Sequence, residues 1–191
     1  MTANMQARKD DTPDAQERRR KLRDAIAFKA YEFDAHGVDM NQRYLSDAVI
    51  PCAGERHVFT EDAELVYQTT CMAGIRLPHV WLVKQRQNSS SLDVVGKGRF
   101  TLLTGIGGEG WRSAADAVRA TLGVPVVVTT IGPDCDYEDP FGDWARSRCV
   151  EDDGAVLVRP DQFVAWRAKN RDGDQATILL AVFRKLLARN V

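Results

Sequence analysis

The sequence predicts an α/β protein: a mixed-sheet domain with the element order β-α-β-α-β-β-α, preceded by a long helix and an extended linker. Three observations carry that prediction. Apolar residues recur at helical spacing between residues 13 and 36, residues 98–190 alternate short apolar runs with helical patterns, and the stretch between them shows little periodicity.

Residues 1–12 are polar, include Lys9-Asp10-Asp11, and are expected to form a mobile tail. Thr12-Pro13 opens a helix, with Thr as N-cap and Pro at the first helical position. Leu22, Ile26, Ala30 and Phe33 line one face of it, and Gly37 is the expected stop. The run Arg18-Arg19-Arg20-Lys21 is read as a solvated face, because Glu17 and Asp24 dilute its field. Val38–Tyr44 reads as extended. Pro51, Gly54, Gly74 and Pro78 punctuate the next stretch, and Asn88-Ser89-Ser90-Ser91 reads as a loop entering a helical turn at Leu92-Asp93.

A second regime begins at Gly98. Arg99–Thr104 is a predicted strand and Trp111–Leu122 a helix with Ala114, Ala117, Val118 and Leu122 on one side. Val124–Ile131 is a continuous apolar run, the pattern of a strand buried on both faces. A short helix is expected around Trp144. Ala155–Arg159 and Phe163–Arg167 form a hairpin across Pro160-Asp161-Gln162, and Asp174–Asn190 a closing amphipathic helix. A right-handed crossover makes the first two strands parallel, and the hairpin extends the sheet on the other side of the first strand. This is the thioredoxin-like order, with the two full-length helices expected to cover the sheet's faces. The predicted division is a tail at 1–12, a helix, strand and linker at 13–80, and the sheet domain at 81–191.

Composition excludes several function classes. In 191 residues, 44% are hydrophobic and 28% charged, as in soluble globular proteins, and a net charge of −1 argues against nucleic acid or an anionic membrane as partner. No apolar run is long enough for a membrane span and no secretory signal is read at the start, so a cytoplasmic location is expected. Cys52, Cys71, Cys135 and Cys149 form no CxxC pair, so no zinc site is expected and the thiols are read as reduced. His36, His57 and His79 are scattered.

Gly105-Ile-Gly107-Gly108-Glu109-Gly110 matches G-x-G-x-x-G between a strand and a helix, with Asp134 further on. A dinucleotide site would need further β-α units after Asp134, and the chain turns to a hairpin instead. A redox-active thioredoxin relative would need a cysteine in the same loop, where the helix N-terminus stabilises a thiolate. Gly105–Trp111 has none. The loop is therefore expected to be a turn that glycines permit, with Trp111, Trp144 and Trp166 as packing anchors.

Several blocks together carry a resemblance: Ala27–Tyr44 (AFKAYEFDAHGVDMNQRY), Gly74–Leu82 (GIRLPHVWL), Gly98–Gly105 (GRFTLLTG) and Gly154–Arg167 (GAVLVRPDQFVAWR). Over about residues 15–190 the chain resembles the C-terminal third of FAD-dependent aromatic hydroxylases, in the phenol and 2,4-dichlorophenol hydroxylase branch. The resemblance implies a non-catalytic C-terminal portion of an FAD- and NAD(P)H-dependent aromatic-ring monooxygenase, serving packing and subunit contacts. It implies that no cofactor binds this segment, that no catalytic residue carries over, and that the partners are an upstream FAD-binding domain of the same enzyme and a second copy in a homodimer. The sequence departs from the family pattern by showing no strand–glycine–helix near its start. Arg43, Arg76 and His79 lie in the shared blocks and are candidate interdomain contacts. The alternatives are a free-standing thioredoxin-like interaction module without redox chemistry, or a redox or nucleotide-binding protein in its own right.

Overall fold

The structure, a computed structural model, describes residues 7–52, 54 and 58–189. The first half of the expected tail, His57 and Asn190 lie outside the described residues. Backbone contacts group the chain into two compact units, one of residues 1–41 and 59–68, the other of residues 42–58 and 69–191.

The first unit is helical. Helix α1 spans Pro13–Phe28, and the Thr12 hydroxyl accepts a hydrogen bond from the Ala15 amide at 3.2 Å, as a helix N-cap requires. The helix does not run on to Gly37. It tightens at Lys29, whose amide reaches Ile26 O at 3.0 Å, and is followed by the short helices α2 (Ala30–Phe33) and α3 (His36–Met40). No local breaker marks that end. Tyr31 instead donates its hydroxyl to Asp62, a residue 31 positions away in the chain. Gly37 falls inside α3 rather than at a stop, because a Cβ there would lie 2.1 Å from Ala63 O. The predicted extended stretch from Val38 is thus partly helical. Asn41 fixes its end by donating to Ala63 O and Val66 O, both at 2.8 Å, while accepting from the Gln68 amide at 3.1 Å. The apolar residues of the first helices remain uncovered: Ile26 is 61% and Phe33 75% exposed.

The second unit holds the sheets. Strands β1 (Trp81–Lys84) and β2 (Gln87–Ser90) make an antiparallel hairpin, followed by the short helix α4 (Ser91–Val94). The sequence pattern places a loop at Asn88–Ser91, because neither β2 nor its turn carries the usual signal. Gln85 and Arg86 take positive φ at the turn, where Asn-Gly is the common pair. The main sheet contains β3 (Phe100–Thr104), β4 (Val126–Thr130), β5 (Ala155–Val158) and β6 (Val164–Ala168) in the order β4-β3-β5-β6. β3 and β4 run parallel, with Leu102 opposite Val128, and β5 and β6 are antiparallel additions on the other side. Helices α5 (Gly110–Leu122), α6 (Asp143–Ser147) and α7 (Gln175–Leu186) complete the unit.

Two expectations about the sheet are corrected. β4 is an edge strand, and Val126, Val127 and Val128 are only partly buried, so its apolar run does not mark a strand enclosed on both faces. The two long helices do not take one face each. α5 and α7 pack together on one face, where Leu102, Trp111, Val118, Leu157, Leu179 and Phe183 form one core. The opposite face, carrying Leu103, Val156 and Val158, is covered by Cys71, Leu77, Leu82 and Val95 with Trp144. Strand side chains alternate between faces, so Leu102 and Leu103 serve different cores.

The free end of β4 is tied by one carboxylate. Asp136 Oδ2 accepts from the Thr130 amide and hydroxyl, both at 2.9 Å, and from Arg112 Nη2 at 2.7 Å. Burial pushes this carboxyl up, but the Thr130 amide, the Arg112 guanidinium and the Thr130 hydroxyl together hold it below its ordinary value of 3.8. A pKa depressed in the fold means stability that is present above 3.8 and lost as pH falls through the folded value. Asp136→Asn is therefore expected to be less stable than the parent near neutral pH and indistinguishable from it in acid, as urea unfolding between about pH 2 and pH 7 would show. A gap that persisted unchanged at the acid end would refute this assignment.

Candidate functional site

The three candidate contact residues are all in the second unit, on or beside one extended segment. From Ala73 to Val80, Ile75 and Leu77 point into the core while Arg76 and His79 face solvent. The segment runs along β6: the Val164 amide donates to Ile75 O at 2.9 Å and the Gly74 amide to Val164 O at 2.8 Å. Arg43 pairs with Ile75 in an antiparallel bridge, whereas Arg76 bridges to Phe163. Arg43 Nε is buried with no hydrogen-bond partner among the described residues. Arg76 Nη2 donates to Gln162 Oε1 at 3.0 Å. His79 Nδ1 shares a hydrogen bond with Ser90 Oγ at 2.7 Å, and its ring meets Trp81 edge-on at 4.8 Å.

The fold adds residues that the sequence pattern does not single out. Tyr44 packs edge-on against Phe163 at 4.6 Å, and the Arg159 guanidinium lies 5.3 Å from the Tyr44 ring centroid. Trp81 is 47% exposed, whereas Trp111, Trp144 and Trp166 are buried as anchors. The result is a surface of arginines and half-exposed aromatics, the composition that recurs at protein contacts. In sequence Phe163 is one member of an apolar strand run. What puts it beside Tyr44 is the 42–44 segment laid along the sheet edge, which no local pattern announces.

The glycine loop does not fit a dinucleotide. A Cβ on Gly105 would lie 2.5 Å from Asp152 O, one on Gly108 2.0 Å from Thr104 Oγ1, and one on Gly110 3.0 Å from Gln175 Oε1. The side where a pyrophosphate would approach is filled by protein. The loop's amides are used internally, Gly108 N to Gly105 O at 3.2 Å and Trp111 N to Gly108 O at 3.0 Å. Glu151, Asp152 and Asp153 outnumber Arg171, itself paired with Asp153, in the shallow groove beside Gly107, which opposes an anion further. These glycines permit close packing rather than phosphate binding.

Thiol chemistry finds little support in the geometry. Cys71 is fully buried, and burial pushes its thiol well above the ordinary range, with Cys149 adding to the shift and Arg167 opposing it. Among the described residues no group of His, Cys, Asp and Glu is placed to hold a metal ion. No helix among them is long and apolar enough to cross a membrane.

The fold is thus that of a mixed α/β protein with a mixed four-stranded sheet. The chain belongs to the aromatic-ring hydroxylase, C-terminal, family, whose model matches residues 70–189. It is 46% identical to 2,4-dichlorophenol 6-monooxygenase of Cupriavidus pinatubonensis over 99% of this chain and 32% of the relative. It is 41% identical to phenol 2-monooxygenase of a Pseudomonas species over 92% of this chain and 29% of that protein. Among solved structures, the flavin-dependent monooxygenase PieE in complex with FAD and substrate superposes with a TM-score of 0.83 at 43% identity, covering 97% of this chain and 32% of PieE. The chain spans about a third of the length of the relatives it matches.

Proposed function

We propose that this chain is the non-catalytic C-terminal portion of an FAD-dependent, phenol-type aromatic monooxygenase. The observation that carries the reading is the family match over residues 70–189, with relatives of whose length the chain spans about a third. In this reading FAD and NAD(P)H bind an upstream portion of the same polypeptide. The cofactor supplies the oxygen chemistry, and the present residues stabilise the portion that holds it. The sheet domain is thioredoxin-like: a parallel β3–β4 pair joined through α5, followed by an antiparallel hairpin and α7, supports that assignment. In this reading residues 13–41 trail from the flavin-binding part, and the domain proper takes in residues 69–80 as well as 81–191: the Gly74 amide on Val164 O, and Cys71 and Leu77 packed against the sheet, support that boundary.

Arg43, Arg76 and His79, with the aromatics beside them, are the contact surface for the upstream portion. The uncovered apolar residues of α1 and α2 are a second region that such a partner, or a second copy in a cytoplasmic homodimer, would bury. Apolar area removed from water stabilises by about 25 cal/mol per Å².

Light scattering with absorbance detection on the purified 191-residue chain tests this. A colourless dimer is expected. Stoichiometric flavin would overturn the non-catalytic assignment, and a colourless monomer at micromolar concentration would remove the subunit role. Arg76→Glu is expected to leave the chain's own unfolding midpoint unchanged while weakening capture of a separately expressed upstream portion.

A further inference from the structure

Beyond the carboxyl ends of β3 and β4 lies a cleft of about 500 Å³ within the second unit. In open α/β sheets this end is where ligands collect, because the loops leaving parallel strands diverge there. The cleft is distinct from the surface around Arg76. Its apolar walls include Ile106, Ile131, Pro140 and the Trp144 ring, and its polar walls carry Asp134, Glu138, Asp139 and Asp152 against Arg148.

Three polar atoms of these lining residues are buried without a hydrogen-bond partner among the described residues: Trp144 Nε1, Asp139 Oδ1 and Arg148 Nε. Trp144 is only 2% exposed. Asp139 and Arg148 each have one further atom engaged. Asp139 Oδ2 accepts from the Ala145 amide at 3.0 Å, and Arg148 Nη2 pairs with Asp152 Oδ1 at 2.5 Å. Buried polar groups are nearly always paired, so three orphans around one cleft call for an occupant.

The chemistry narrows what that occupant is. An anion would meet four carboxylates and one arginine that is already in an ion pair. A metal ion would find one orphan acceptor beside two orphan donors, and no ligand cluster exists among the described residues. An uncharged group must therefore donate to Asp139 and accept from Trp144 or Arg148. A hydroxyl does both at a single oxygen. We propose that this cleft binds a small uncharged hydroxylated organic molecule, its hydroxyl between Asp139 and Trp144 and its apolar body against Ile106, Ile131 and Pro140. The orphan atoms are recessed, so entry takes a wall adjustment on the scale of a side-chain rotamer change. The site stands on the cleft's own residues and does not depend on family membership.

The test monitors the indole N–H signals of the ¹⁵N-labelled full chain during titration with phenol, cyclohexanol and, as a hydroxyl-free control, toluene. Trp144→Phe identifies the Trp144 signal. Saturable movement of that signal with both hydroxylated probes is expected, at millimolar concentrations or below, with clearly weaker binding of toluene. Asp139→Ala, at a half-buried position, is expected to weaken phenol binding roughly three- to tenfold, and serves also if Trp144→Phe does not fold. No saturable shift, equal affinity for toluene, or affinity unchanged in Asp139→Ala would overturn the proposal and leave bound water as the partner of these atoms.

Discussion

Trp111→Ala is expected to destabilise the second unit by about 3–5 kcal/mol, the range for removing a large aromatic from a core that cannot collapse around the gap. Trp111 is fully buried at the start of α5, between the helix pair and the sheet, and its ring meets Trp166 edge-on at 5.9 Å. Its Nε1 donates to Asp153 O at 2.9 Å, so truncation also leaves that carbonyl without its indole donor. Both losses act on the contact that closes α5 and α7 over Leu102 and Leu157. All four tryptophans belong to the second unit, so urea unfolding followed by tryptophan fluorescence reports that unit. The midpoint should fall sharply with little change in slope. Trp111→Phe, which keeps the ring and loses the hydrogen bond, should fall between the parent and the alanine variant. A loss below about 1 kcal/mol for Trp111→Ala would mean that the anchor role is misassigned.

Gly105→Val is expected to cost about 3 kcal/mol or more, since its Cβ would sit 2.5 Å from Asp152 O and 3.2 Å from Ile131 O, and backbone oxygens do not step aside as a flexible side chain can. The branched side chain adds two methyl groups where even a single Cβ is too close. Ile106→Ala, one residue on and 51% exposed, should change stability by less than about 0.5 kcal/mol. The contrast separates two roles for the same sequence motif. A phosphate-binding loop would tolerate the change in stability and lose a ligand, whereas a packing loop loses stability and has no such ligand to lose. Thermal unfolding of the two variants side by side decides between them.

The fate of that loop shows what a sequence motif carries. Gly105–Gly110 matches a dinucleotide fingerprint in letters, and the hairpin that stands downstream in place of further β-α units argues against it. The geometry adds the physical cause, because the space a pyrophosphate would need is taken by Asp152 O, Thr104 Oγ1 and Gln175. The candidate contacts are legible in sequence only as members of shared blocks. Arg76 and His79 are recognisable as loop residues, and Trp81 follows in the same block, but their company of Tyr44, Phe163 and Arg159 arises from segments far apart in the chain. The cleft beyond β3 and β4 has no sequence signal at all, since Ile106 follows β3 while Asp139 and Trp144 come from the distant entry to α6.

By itself the sequence determined the local elements of residues 98–189, because their information is short-range. Apolar period, a left-handed Gly123 after α5 and the Asp174 cap of α7 act within one or two turns of chain. It also determined the parallel pairing of β3 with β4, since a crossover helix leaves one hand available. Family membership was legible for the same reason, as blocks of consecutive residues. Only the tertiary structure decided which layer covers which face of the sheet. The sequence pattern says that a strand has two apolar faces but not what lies on them. It therefore allows α5 and α7 one face each, whereas the fold sets both on the same one. The second face belongs to residues 71–95, whose weak periodicity reads as linker. Its residues satisfy their backbone groups by pairing with β6 and with one another, and bury Leu77 and Leu82 without needing a regular repeat to do so.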